Sequence, residues 1–207
     1  MAPITQFKDF SYSNIALPRS GKFTNSPDSP KCVEFPEILL QLPKMNAAFK
    51  GVAQFDPKAP WYLSVKLDLD VQKVFEDVDD YIVRYLSEHS KTLIGEETDV
   101  AAIKKYCYNP IVVKGKKEGY ESTRTLKMKL NVSDGPYATK AFDHTKSKVP
   151  VDSIKGNDTV ICLVSCDRMY YMNNKFGVSF KLKQVVRYPS VDLDSCAMEI
   201  DAGSDSA

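Results

Sequence analysis

The sequence predicts a mainly β domain with one long helix set among its strands, an α+β arrangement. Three observations predict it. Short apolar/polar alternations recur along the chain, turns built from Gly, Asn and Asp separate them, and one segment carries sustained apolar spacing of three and four residues. With 207 residues and 43% hydrophobic content, the chain can fill one core and carry short appendages.

Taken in order, the N-terminal third is interrupted by Pro18, Pro27, Pro30, Pro36, Pro43, Pro57 and Pro60. Residues 4–17 and 32–42 read as strands on either side of a Ser/Pro/Asn/Gly-rich loop, 19–31. Trp61, Leu63, Val65, Leu67 and Leu69 alternate with Tyr62, Ser64, Lys66 and Asp68, the pattern of a half-buried strand. The helix follows. Val71, Val74, Phe75, Val78, Tyr81, Ile82, Tyr85 and Leu86 form its apolar stripe, Asp70 is the expected N-cap, and Asp77, Asp79 and Asp80 are expected on a solvated face. A second helix is expected from Thr98 or Asp99 to about Tyr106, ending before Asn109-Pro110.

From Tyr108 the chain reads as strands again. Ile111–Val113 leads to a Lys/Gly loop over 114–119. Leu126, Met128, Leu130 and Val132 then alternate with Thr125, Lys127, Lys129 and Asn131. Asp134-Gly135-Pro136 is a turn and 138–150 an irregular connection. Lys155-Gly156-Asn157-Asp158 turns into an apolar strand, 159–165, and Asn173-Asn174-Lys175 joins residues 169–172 to a last strand, 176–188. On that strand Phe176, Val178, Phe180, Leu182, Gln184 and Val186 should share one face, with Ser179, Lys181, Lys183 and Arg187 on the other. Short strands, tight turns and one inserted helix (about 70–106) fit an OB-fold-like Greek-key β-barrel over residues 1–188. The pattern alone also admits another β-barrel or a sandwich.

Charge divides the chain more sharply than its total of +1 suggests. Residues 1–188 hold all 28 Lys and Arg against 22 acids, a net of +6. Residues 189–207 hold Asp192, Asp194, Glu199, Asp201 and Asp205 and no base, and are expected to be a disordered tail. Such a split is a sign of dealings with nucleic acid. No membrane-spanning run or secretory signal is read, so an intracellular, reducing setting is expected. Five cysteines at spacings of no disulfide framework, Cys32, Cys107, Cys162, Cys166 and Cys196, fit that setting as free thiols.

Catalytic patterns are missing. Ser20-Gly21-Lys22 lacks the first glycine of a phosphate loop, and HExxH, GxSxG and the dinucleotide glycine pattern do not occur. The expectation is no enzyme, no cofactor and no metal site. Binding features are richer. Two strands each set an apolar side against a basic one, so Lys127, Lys129, Lys181, Lys183 and Arg187 are candidates for phosphates. Aromatics interleaved with bases make Tyr120, Tyr170 and Tyr171 the principal candidates for base stacking, with Tyr106 beside them.

The run from Tyr170 to Val186, Tyr170-Tyr171-Met172-Asn173-Asn174-Lys175-Phe176-Gly177-Val178-Ser179-Phe180-Lys181-Leu182-Lys183-Gln184-Val185-Val186, closely resembles a C-terminal signature of the single-stranded DNA-binding proteins of nucleocytoplasmic large DNA viruses. There an aromatic-ending strand precedes a lysine-bearing turn, FGxxW/F and L-x-Q-V. That family is similar to the podophage-type OB-fold protein with an acidic C-terminal tail. The resemblance implies single-stranded DNA as ligand and adds Lys175 as a phosphate candidate. It also implies viral replication proteins and a second copy of the chain as partners, in a host nucleus or cytoplasmic viral factory. The tail departs from the phage type, ending Gly203-Ser204-Asp205-Ser206-Ala207 with no terminal aromatic. Two alternatives stay open: a virion or scaffold barrel making protein contacts, and an RNA-binding protein.

Overall fold

Alternating strands need partners for both their backbone edges and their apolar sides, and one sheet joins thirteen of them here. The computed structural model describes residues 2–26, 29–54, 60–115, 118–130 and 138–188, with the side chains of 25–30 left aside. The expected tail with Asp192, Asp194, Glu199, Asp201 and Asp205 lies outside the described residues, as do Asn131, Val132 and the Asp134-Gly135-Pro136 turn.

The strands are β1 (Ile4–Gln6), β2 (Thr24–Ser26), β3 (Ser29–Gln41), β4 (Met45–Ala53) and β5 (Tyr62–Lys66). Three helical pieces follow, α1 (Leu69–Glu88), α2 (Ser90–Leu93) and α3 (Val100–Ala102), the last running into a wider π-type turn, Ile103–Cys107. Then come β6 (Tyr108–Asn109), β7 (Val112–Lys114), β8 (Arg124–Leu130), β9 (Lys140–Asp143), β10 (Lys148–Val149), β11 (Thr159–Met172), β12 (Lys175–Val178) and β13 (Phe180–Tyr188). The protein is thus mainly β with a few helices.

Five strands pair in a cycle. β4 pairs antiparallel with β5, β5 with β8, β8 runs parallel to β13, and β13 pairs antiparallel with β11. β11 returns to β4 through Thr159↔Asn46 and Val160↔Met45. Side chains pointing inward from this cycle, Leu63, Val65, Leu126, Met128, Leu130, Val160, Cys162, Val164 and Leu182, are all buried. Helix α1 closes over them with Phe75, Val78, Ile82 and Leu86, and the Phe75 ring meets Phe180 edge-on at 5.4 Å. Truncating a ring buried this completely costs about 3–5 kcal/mol.

Several expectations are corrected. Asp68, not Asp70, caps α1, accepting from the Val71 N–H at 2.8 Å. Half-buried Asp77 and exposed Asp80 pair with Lys73 and Lys104 at 2.6 and 2.7 Å, but Asp79 is buried. Its carboxylate accepts from the Tyr108 hydroxyl at 2.6 Å and from the backbone N–H of Ile111 at 2.9 Å and Val112 at 3.4 Å, tying α1 to β6 and β7. Residues 4–17 form only a three-residue strand, followed by two 3₁₀ turns. The connection 138–150 is a hairpin, β9–β10, with β9 parallel to β13.

The last strand is split at Ser179, and β13 contains a bulge. Leu163 faces Gln184 while Val164 faces Leu182, so Lys183 is the extra residue. Beyond it the phase inverts: Val185 is fully buried, whereas Gln184 is exposed and Val186 half-buried, against the uninterrupted alternation read from sequence. The Asn173-Asn174 turn is confirmed, both residues left-handed at φ 53° and 60°, as a two-residue hairpin loop requires.

Candidate nucleic-acid interface

The outward faces of β5 and β8 carry the polar half of each alternation. Across the pair, Tyr62 faces Lys129, Ser64 faces Lys127, and Lys66 faces Thr125. Lys127 leans diagonally, its ammonium 3.7 Å from the centre of the Tyr62 ring. Partial burial lowers its pKa, and burial followed by the neighbouring Tyr170 hydroxyl raises that of Tyr62.

Two flanking elements turn this face into a groove. On one side β7 pairs with β8, bringing Val113 and Lys114 alongside Thr125 and Arg124. The loop beyond it returns through Tyr120 and Thr123, with the Gly115 N–H bonded to the Thr123 carbonyl at 3.0 Å. On the other side β4 bulges: Ala47 faces Val65 and Val52 faces Leu63, so β4 advances five residues while β5 advances two. Two glycines allow the bulge. A Cβ on Gly51 (φ +80°) would come within 2.1 Å of the Ile154 carbonyl oxygen, and one on Gly156 within 1.8 Å of that of Phe49. The bulge is thereby locked on the 154–157 turn, and Phe49 at its crest is 59% exposed with φ 55°, a backbone region costly for a residue with a side chain.

The result is a cavity of about 690 Å³ lined by Ala48, Phe49, Ser64, Lys66, Val113, Lys114, Gly115, Tyr120, Thr123, Thr125, Lys127 and Asn157. Three of these residues are lysines, two are exposed aromatics, and none of the described lining residues is acidic. Lys66 is steadied by the Asn157 side-chain oxygen at 3.0 Å. A second cavity, about 370 Å³ between β9, β10 and residues 150–152, offers Lys140 and Lys148 beside Asp152 and no aromatic.

The candidates read from sequence divide accordingly. Lys127 and Tyr120 line the groove, and Lys129 extends the same face. Lys181 lies beside Lys129 in the parallel register but pairs with Asp167 at 3.3 Å. Lys183, on the bulge, pairs with Glu37 at 3.5 Å. Arg187 turns to the buried Asp158 at 2.7 Å, an ion pair that fixes the 155–158 turn. Tyr171 is half-buried against Phe176 and Phe23, with centroids 4.5 and 5.5 Å apart, and Tyr170 is half-buried with its hydroxyl over Gly177. Lys175 opens β12 opposite Met172. Tyr106 is 60% exposed outside the groove lining.

Sequence reading missed Phe49, Tyr62, Lys66 and Lys114. The Lys50-Gly51 pair was the one local signal of a bulge under Phe49. Cys32, Cys162 and Cys166 are buried free thiols, and burial pushes the Cys162 and Cys166 thiols up, making them poor nucleophiles. Among the described residues no group of His, Cys, Asp and Glu could hold a metal, and no helix is long and apolar enough to cross a membrane.

Compared with known proteins, the chain matches no family model and no curated protein. Similar solved structures include the C-terminally truncated single-stranded DNA-binding protein of bacteriophage Enc34, at TM-score 0.45 and 8% identity over 73% of this chain and 86% of that one. The same phage protein in complex with single-stranded DNA gives TM-score 0.40 and 10% identity over 73% and 86%. The gp2.5 single-stranded DNA-binding protein of bacteriophage T7 gives 0.39 and 18% over 83% and 100%.

Proposed function

We propose that the chain binds single-stranded DNA without base preference, along the groove on the outer face of β4, β5 and β8, and coats it during viral DNA replication, recombination or repair. The observation that carries the reading is the coincidence of Lys66, Lys114 and Lys127 with the exposed rings of Phe49 and Tyr120 in one cavity. Lysines supply the phosphate contacts and release counterions, while aromatic faces accept any base at about 1–3 kcal/mol each. A duplex buries its base faces in its own stack and gains little from the rings.

The cyclic order β4–β5–β8–β13–β11, with β8 and β13 parallel, supports an OB-type barrel. Such folds take oligonucleotides on the face of their second and third strands, here β5 and β8. On this reading α1 is an insertion that plugs the barrel and the protein acts without catalysis. The Tyr170–Val186 signature supports a place among the proteins of large DNA viruses, acting in a nucleus or viral factory. The tail, net −5, would occupy the basic groove when DNA is absent and turn to replication partners or a second copy when displaced.

Fluorescence anisotropy of labelled oligo-dT, with duplex DNA and RNA as competitors at two salt concentrations, tests this. Salt-sensitive binding that neither competitor removes supports the reading. Displacement by RNA would move the function to RNA, and no binding at low salt would favour a scaffold role.

A further inference from the structure

The groove does not end at Asn157. That residue is part of the lining, and its N–H donates to the Ala47 carbonyl at 2.9 Å, which holds the turn against β4. Two residues on, Thr159 pairs with Asn46 of β4 and with Tyr188 of β13. The neighbours Met45 and Val160 are buried, so Asn46 and Thr159 face outward, and their side chains join at 3.2 Å on the exposed surface. Tyr188, directly opposite Thr159, shares that face.

Around Tyr188 stands a second aromatic and basic cluster. The Lys44 ammonium lies 4.5 Å from the ring centre, and exposed His144 stacks loosely at 6.0 Å with 29° between planes. Exposed Lys146 follows on the same tight turn, its N–H on the Asp143 carbonyl at 3.0 Å. The one carboxylate of that turn, Asp143, is engaged by the Thr145 and Ser147 N–H groups, both at 2.9 Å. Thr159 stands two residues past Asn157, and Tyr188 lies one strand spacing, about 5 Å, across from it, within reach of a single strand leaving the groove.

We infer that Tyr188, with Lys44 and Lys146, is a second contact platform for the same single strand, reached over Asn46 and Thr159 after the strand leaves the groove. This rests on the groove reading above and extends it. Asn46 and Thr159, the outward residues between the two clusters, are polar and uncharged, and Arg187 is already committed to Asp158, so the added affinity comes from the Tyr188 ring and the two lysines. A base stacks on Tyr188 by displacing His144, which nothing buries.

The platform makes affinity depend on strand length. With the full chain, oligo-dT of about six nucleotides should fill the groove alone, and one of about twenty should reach both clusters. Lys44→Ala with Tyr188→Ala should weaken the long oligonucleotide roughly tenfold and leave the short one unchanged, and Tyr188→Phe should restore the stacking part of that loss. Equal affinities of the native and double-variant chains for the long strand would overturn the platform, as would an equal loss for both lengths, which marks damage to the barrel. Failure of the native chain to bind either length would instead overturn the groove reading itself.

Discussion

Changing Lys114 and Lys127 together to Gln tests the groove's electrostatics without adding repulsion. Both residues line the cavity, from β7 and β8 respectively, and neither holds the core together. Each phosphate contact to a single strand contributes about 0.7 to the slope of log affinity against log salt, so the double variant should lose about 1.4 of that slope. Over a fourfold rise in salt, the native chain should therefore lose about sevenfold more affinity than the variant. Loss of the Lys127–Tyr62 contact should cost only about 0.5–1 kcal/mol of stability, which urea unfolding would register separately. Anisotropy titrations of oligo-dT across a salt series give the slope directly. Equal slopes for the two proteins would refute the assignment of phosphates to this face.

Phe49→Gly should weaken oligo-dT binding roughly tenfold by removing a stacking ring. The same change should raise stability in urea by about 1 kcal/mol, because glycine relieves the left-handed backbone at that position. Burial raises the pKa of Asp79 from its ordinary value to about 6, so the folded protein holds this proton where the unfolded chain releases it. The contribution is present below pH 4 and lost as pH rises through 6, by about 3 kcal/mol. Comparing native and Asp79→Asn unfolding free energies across pH 4–7 should show that component vanish in the variant, with a lower stability overall. Deleting residues 189–207 should raise affinity for oligo-dT at low salt and leave it unchanged at high salt, where screening removes the tail's competition.

Much of the fold was legible because period-two patterns survive wherever a strand is regular. Leu126, Met128 and Leu130 are buried and Lys127 and Lys129 exposed, as their alternation requires. Bulges defeat the same reasoning. One extra residue at Lys183 inverts the phase of β13, which buries Val185, exposes Gln184 and sends Arg187 to Asp158. The larger bulge in β4 carries Phe49 to the surface, beside the buried Ala47 and Ala48. Asp79 was misjudged for a different reason. It follows Phe75 by four residues and precedes Ile82 by three, so its position on the helix lies on the buried face, but its acidic neighbours Asp77 and Asp80 suggested solvent. Lys66 and Lys114 were read as part of a strand and a loop, and only the pairing of β5 and β7 on either side of β8 brings them to one groove. Long-range pairing of this kind leaves no local trace in sequence.

The most direct test of the central claim is photo-crosslinking of a bromodeoxyuridine-substituted single strand to the full chain, with adducts located by mass spectrometry. The account predicts adducts at Phe49 and Tyr120 that excess oligo-dT suppresses and duplex does not. Adducts confined to residues outside the β4–β5–β8 face, such as Tyr106 or Tyr171, would contradict it.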